Sequence, residues 1–168
     1  TAVGQALARL HRSAPPAGSS VHGPADEVAV TEGWERWART YGLPLPDISH
    51  QPVPPQPPEL RLIHRDLHDG QLMLSADPAG ELTAGGVGVL DFDLMAAGDP
   101  ALDLGNLVEH LHLRARQGAL SDPDSATGAL LAGYDPDDAT TSRIASYRAL
   151  TARRLAALYA FRASNLVT

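Results

Sequence analysis

Asp66, Gln71 and Asp91 are three oxygen-bearing side chains whose types and order fit phosphoryl transfer to an alcohol. Asp66 and Gln71 lie in the run Ile63-His64-Arg65-Asp66-Leu67-His68-Asp69-Gly70-Gln71, and Asp91 lies in Val89-Leu90-Asp91-Phe92-Asp93. That chemistry asks for a carboxylate to orient the hydroxyl and accept its proton, and for Mg²⁺ on the phosphates. Mg²⁺ is a hard ion that takes oxygen ligands in near-octahedral geometry. Asp66, in a loop after an apolar run, is the candidate base. The amide oxygen of Gln71 and the carboxylate of Asp91 are the candidate metal ligands. Asp93 stands two residues past Asp91, within reach of the same metal or of the substrate. All 13 basic residues are arginine, so no lysine is present to hold nucleotide phosphates.

The order of these residues can be set against the kinase pattern H-R-D-L-x-x-x-N followed by D-F-G. His64-Arg65-Asp66-Leu67 is followed by three residues and Gln71, where the pattern has Asn. Asp91-Phe92-Asp93 has Asp where the pattern has Gly. A third segment, Gly98-Asp99-Pro100-Ala101-Leu102-Asp103-Leu104-Gly105-Asn106-Leu107, opens an acidic helix. With these three segments the chain resembles the aminoglycoside phosphotransferase and choline kinase-like small-molecule kinases. The resemblance is close over residues 60–114 and looser in the flanking helices. Protein kinases carry an Ala-Pro-Glu segment that is not found here.

The resemblance implies an α+β, mostly helical fold, the C-terminal catalytic lobe of a protein-kinase-like phosphotransferase. It implies Asp66 as catalytic base, Gln71 and Asp91 as Mg²⁺ ligands, and Asp103 as a buried aspartate that bonds the catalytic-loop backbone. It further implies transfer of the γ-phosphate of ATP or GTP to a hydroxyl of a sugar, aminoglycoside or amino alcohol. Relatives cover the nucleotide with a β-sheet lobe bearing a lysine. Here the only glycine cluster, Gly85-Gly86-Val87-Gly88, leads straight into the Asp91 strand and reads as a hairpin turn rather than a phosphate loop. Residues 1–168 are therefore expected to form one domain, the catalytic lobe, with the nucleotide-clamping lobe absent. A missing segment or a separate chain would supply that lobe.

Two other readings stay open. The lobe could be a non-catalytic binding domain, as the missing lysine suggests. His64, Asp66 and His68 alternate, so on a strand they would share one side, as in a metal-dependent hydrolase. That reading leaves Asp91 unexplained. The simpler role for His64 is structural, its ring bonding nearby backbone, with His68 a loop contact.

Elements that would position these groups follow from periodicity. Residues 2–12 repeat apolar side chains at helical spacing, and 13–24 read as a loop rich in Pro, Gly and Ser. A helix is expected to open at Thr31 as N-cap and end near Gly42, with Trp34 and Trp37 on one face. Seven prolines within 44–58 impose an extended connector. Short strands are expected at 60–63, 72–74 and 87–90, with a turn at 77–80. Helices follow over 100–114, 125–134 and 137–163. Asp99 reads as a helix-start residue and Arg153-Arg154 as a solvated face. His110 and His112, two apart on a helix, point to different sides.

Composition bounds the rest. A chain of 168 residues with 43% apolar content can bury a sizeable core. There is no cysteine, so no disulfide frame and no thiolate metal site. No run approaches the length of a membrane helix. The net charge of −7 disfavours a nucleic-acid footprint. Abundant Ala, Arg, Gly and Pro points to a GC-rich bacterial source, and the absence of cysteine fits a cytoplasmic one.

Overall fold

The computed structural model describes residues 1–45 and 53–165, with side chains placed through residue 160. The chain is mostly helical, with five α-helices and two small sheets among these residues. Helix α1 (Ala2–Arg12) leads to a two-residue strand β1 (Val21–His22) and then helix α2 (Pro24–Thr40). Strands β2 (Arg61–Ile63), β3 (Leu72–Leu74), β4 (Val87–Val89) and β5 (Ala96–Gly98) follow. Three helices complete the chain: α3 (Pro100–Arg116), α4 (Pro123–Tyr134) and α5 (Asp138–Asn165).

Helix α3 is the axis of the fold. Asp99 caps its start by accepting from the Ala101 N–H at 3.0 Å, and Pro100 occupies the first helical turn. Residues 101–109 are all buried, so over this stretch the helix is covered on every side. Leu102, Leu104 and Leu107 join Leu7, Ile63, Leu67, Ile144, Tyr147 and Leu150 in the central cluster. Gly105 lets α5 come close: a Cβ there would lie 2.8 Å from Tyr147 Cβ and 3.0 Å from the Arg148 amide nitrogen.

Helix α2 begins seven residues before the expected Thr31 cap. Gly23 is its N-cap, Pro24 opens it, and the Asp26 carboxylate accepts from the Gly23 N–H at 2.8 Å. Thr31 is instead buried in the first half of the helix. Of the extended connector expected over 44–58, residues 46–52 lie outside the described residues, and 53–58 carry no helix or strand.

The sheets are small. One has the order β1-β5-β2, with β1 parallel and β2 antiparallel to β5. The other is the expected hairpin β3-β4, in which Leu72 faces Val89 and Leu74 faces Val87. Its turn is at 77–80, where Asp77 accepts from the Ala79 and Glu81 amides at 2.9 Å. The glycine cluster sits at the base of this hairpin, since Ser75 N–H donates to Gly86 O at 2.8 Å. Among the described residues no helix is long and apolar enough to cross a membrane.

Candidate active site

Asp66, Gln71 and Asp91 are carried by two segments that buried polar groups bind together. His64 is fully buried, and its Nε2 lies 2.6 Å from Leu90 O, which makes Nε2 the protonated nitrogen. Its ring also packs against Phe92, with centroids 5.0 Å apart. Leu90 N–H in turn donates to Gln71 O at 2.9 Å. The backbone of Leu90 thus ties the residue before Asp91 both to Gln71 and to the start of the Asp66 loop. The Gln71 amide donates to Asp91 Oδ2 at 3.2 Å. Two oxygen-bearing side chains therefore converge on adjoining loop ends, a donor set suited to a hard cation once the amide turns its carbonyl inward. Asp93 is exposed next to them.

The backbone conformation in both segments is unusual. Arg65 has φ 73° and Asp91 φ 61°, both in the left-handed region that side chains other than glycine rarely enter. Arg65 is held there from both sides. Asp103, fully buried on α3, accepts from the His64 N–H at 2.7 Å and the Arg65 N–H at 2.8 Å. Asn106, also fully buried, donates to Arg65 O at 2.7 Å. His11 of α1 reaches the same Asp103 carboxylate at 3.1 Å and Tyr134 at 3.1 Å. Burial and the nearby Asp103 and Asp99 carboxylates push the Tyr134 hydroxyl up to about 12.

Asp66 opens onto a cavity of about 360 Å³, bordered by Trp34, His68, His110, Arg114, Arg154 and Tyr159 among others. Arg154 Nη1 is 3.7 Å from Asp66 Oδ1, and Nη2 bonds Asn106 Oδ1 at 3.0 Å. Arg114 Nε bonds Asp69 Oδ2 at 2.8 Å. The rings of His68 and His110 stack at 5.0 Å. Burial first, then the neighbouring His68 and Arg154, lowers the His110 imidazole to about 4, so it is neutral at physiological pH.

Two expectations are corrected here. Arg153 and Arg154 are not a solvated face: Arg153 is buried against Glu35, and Arg154 turns into the cavity beside Asp66. His64, Asp66 and His68 do not share one side for a metal, because the His64 ring is committed inward to Leu90. Among the described residues the one grouping of three such ligand atoms, within 4.8 Å of one another, is His68, Asp69 and His110. In that group His68 Nδ1 accepts from the Gly70 N–H at 3.0 Å. The remaining Nε2 of a neutral ring is then protonated and has no lone pair for a metal.

His110, Arg114 and Arg154 had no motif to mark them. One signal was present: Asp99, Asp103, Asn106, His110 and Arg114 recur at spacings of three and four along α3 amid leucines, which places them on one face.

The model of a phosphotransferase enzyme family matches residues 1–141. The chain belongs to this family. No curated protein matches it. Among solved structures, this phosphotransferase-family chain is similar to a choline/ethanolamine kinase family protein from Mesorhizobium loti. The identity is 20%, the TM-score 0.44, and the match covers 92% of this chain and 64% of that one. The chain thus spans less than two thirds of that protein's length.

Proposed function

We propose that this family member transfers the γ-phosphoryl group of Mg²⁺-ATP or Mg²⁺-GTP to a hydroxyl of a small molecule such as a sugar, aminoglycoside or amino alcohol. Asp66 orients the hydroxyl and accepts its proton. The substrate oxygen forms a bond to the γ-phosphorus while the bond from phosphorus to the β–γ bridging oxygen breaks, and the nucleoside diphosphate leaves. Gln71 and Asp91 would hold Mg²⁺, which when bound neutralises charge on the phosphates. Asp93, exposed beside Asp91, is a further contact for metal or substrate. His64 and Asp103 fix the loop that carries Asp66. The fold in this reading is the C-terminal lobe of a kinase-like enzyme, acting in the cytoplasm, where the nucleotide is supplied. The lysine that relatives place on the phosphates would come from outside residues 1–168, from another segment or a separate chain.

The observation that supports this reading is the tie through Leu90, which links the residue before Asp91 to Gln71 and to His64 at the start of the Asp66 loop, although these come from separate segments. The test is transfer of labelled γ-phosphate from Mg²⁺-nucleotide to a panel of alcohols, by the intact protein and its Asp66→Ala and Asp91→Ala variants. Full activity in either variant would overturn the assignment. A second reading, a non-catalytic binding domain, is favoured by the absence of lysine. Nucleotide binding without transfer to any alcohol would select it.

A further inference from the structure

Among the described residues, every acidic or arginine side chain on the wall of the Asp66 cavity has an opposite partner. Asp66 stands 3.7 Å from Arg154, and the Asp69 carboxylate is bonded to Arg114. Glu35, one residue from Trp34, is bonded to Arg153. The two histidines stack on each other, with His110 neutral and His68 Nδ1 accepting from the Gly70 N–H. A cationic acceptor needs an unpaired carboxylate to replace its lost hydration. Among the described residues this wall offers none, although the whole chain carries a net charge of −7.

An apolar cavity adjoins this one. A second hollow, of about 580 Å³, is bordered by Val30, Gly33, Trp34, Trp37 and Leu158. Trp34 and Leu158 border both, so the two are neighbours across a shared wall. Trp34 and Trp37 meet edge to face at 5.6 Å and, with Val30 and Leu158, make a largely hydrocarbon lining.

We propose that the acceptor is an uncharged alcohol with an apolar body. Its hydroxyl end sits by Asp66, His68 and His110, and its body lies along Trp34, Trp37 and Leu158. This inference rests on the phosphotransferase reading of Asp66, and it narrows the substrate class away from amino sugars and amino alcohols.

Trp34 and Trp37 are the only tryptophans in the chain, so binding can be read by intrinsic fluorescence with no nucleotide present. The probes are hexyl β-glucoside, methyl β-glucoside and choline, titrated into the full chain and into Gly33→Leu. A Cβ at Gly33 would meet only the flexible end of Arg36, at 3.9 Å. The larger side chain can therefore narrow the apolar hollow without disturbing the helix. The expected result is saturable binding of the hexyl glucoside, at least about tenfold tighter than either other probe. Gly33→Leu should weaken it about tenfold or more while leaving the methyl glucoside unchanged. Choline binding as tightly as the hexyl glucoside would overturn the proposal, and so would equal affinity for the two glucosides or an unaltered Gly33→Leu. The phosphotransferase reading fails separately: hexyl glucoside binding with no phosphoryl transfer to any alcohol would sink that reading and leave the ligand preference standing.

Discussion

Arg153 of α5 grips Glu35 of α2 through two hydrogen bonds, Nε to Oε1 at 2.7 Å and Nη2 to Oε2 at 2.9 Å. Both side chains are buried, and the pair ties the tryptophan-bearing helix to the one that carries Arg154. Removing one partner leaves the other charge buried and unpaired. Glu35→Ala should lower unfolding stability by about 3 kcal/mol, whereas Glu35→Met with Arg153→Met should recover much of it. Urea denaturation of the single and double variants measures this. The Arg153 hydrogen bond also holds the Glu35 carboxyl below its ordinary value. Its contribution is therefore complete above the ordinary glutamate range and is lost as pH falls through the lowered value.

Loss of activity at Asp66 and Asp91 should not be loss of fold. The Asp66 side chain is 43% exposed, and Asp91 is exposed. Asp66→Ala should cut kcat by about 10²–10⁴-fold, the usual contribution of a positioned base. The melting temperature should stay within a few degrees. A matching fall in melting temperature would mean that the change acts through structure.

Gly105→Ala tests the α3–α5 crossing. The added methyl has no room against Tyr147 and Arg148, so the helices must separate locally. The expected cost is about 1–3 kcal/mol. Because Asn106 is the next residue, and bonds both Arg65 O and Arg154, activity should fall more than the stability loss alone explains. Thermal melts beside kcat would show it.

Acid should weaken the protein through His110. Its folded value, about 4, lies below the unfolded value of 6.5. Between these two the unfolded chain binds more protons, so stability is complete above about pH 6.5 and drains away as pH falls toward 4. Since the ring is partly exposed, the loss is on the order of 2 kcal/mol after allowance for solvent screening. In His110→Gln the slope of stability against pH over this window should flatten. An unchanged slope would place the acid sensitivity elsewhere.

The helices at 2–12, 100–114, 125–134 and 137–163 were legible because leucine, valine and alanine repeat along them at helical spacing, and each is found within three residues of its expected bounds. The start of α2 was legible only in polar shorthand, a proline followed by Asp26 and Glu27, which is weaker than the Thr31 signal that competes with it. Strand β5, Ala96-Ala97-Gly98, has no β-branched residue and exists because β1 and β2 flank it. Asp66, Gln71 and Asp91 could be named from their local motif. Arg154 could not, since a charged residue on a long helix says nothing of which loop it will face.

Asp103 and Asn106 do more than hold neighbours in place. Through them a loop borrows the persistence of a helix. The amide hydrogens of His64 and Arg65 end on Asp103, which sits on the stretch of α3 that is buried on every side. Such hydrogens should exchange with deuterium only when α3 itself comes apart. A loop that by its lack of regular structure ought to flicker open on its own would instead share the slowest clock in the molecule. The chain would then lose its site all at once, with its core, rather than by fraying.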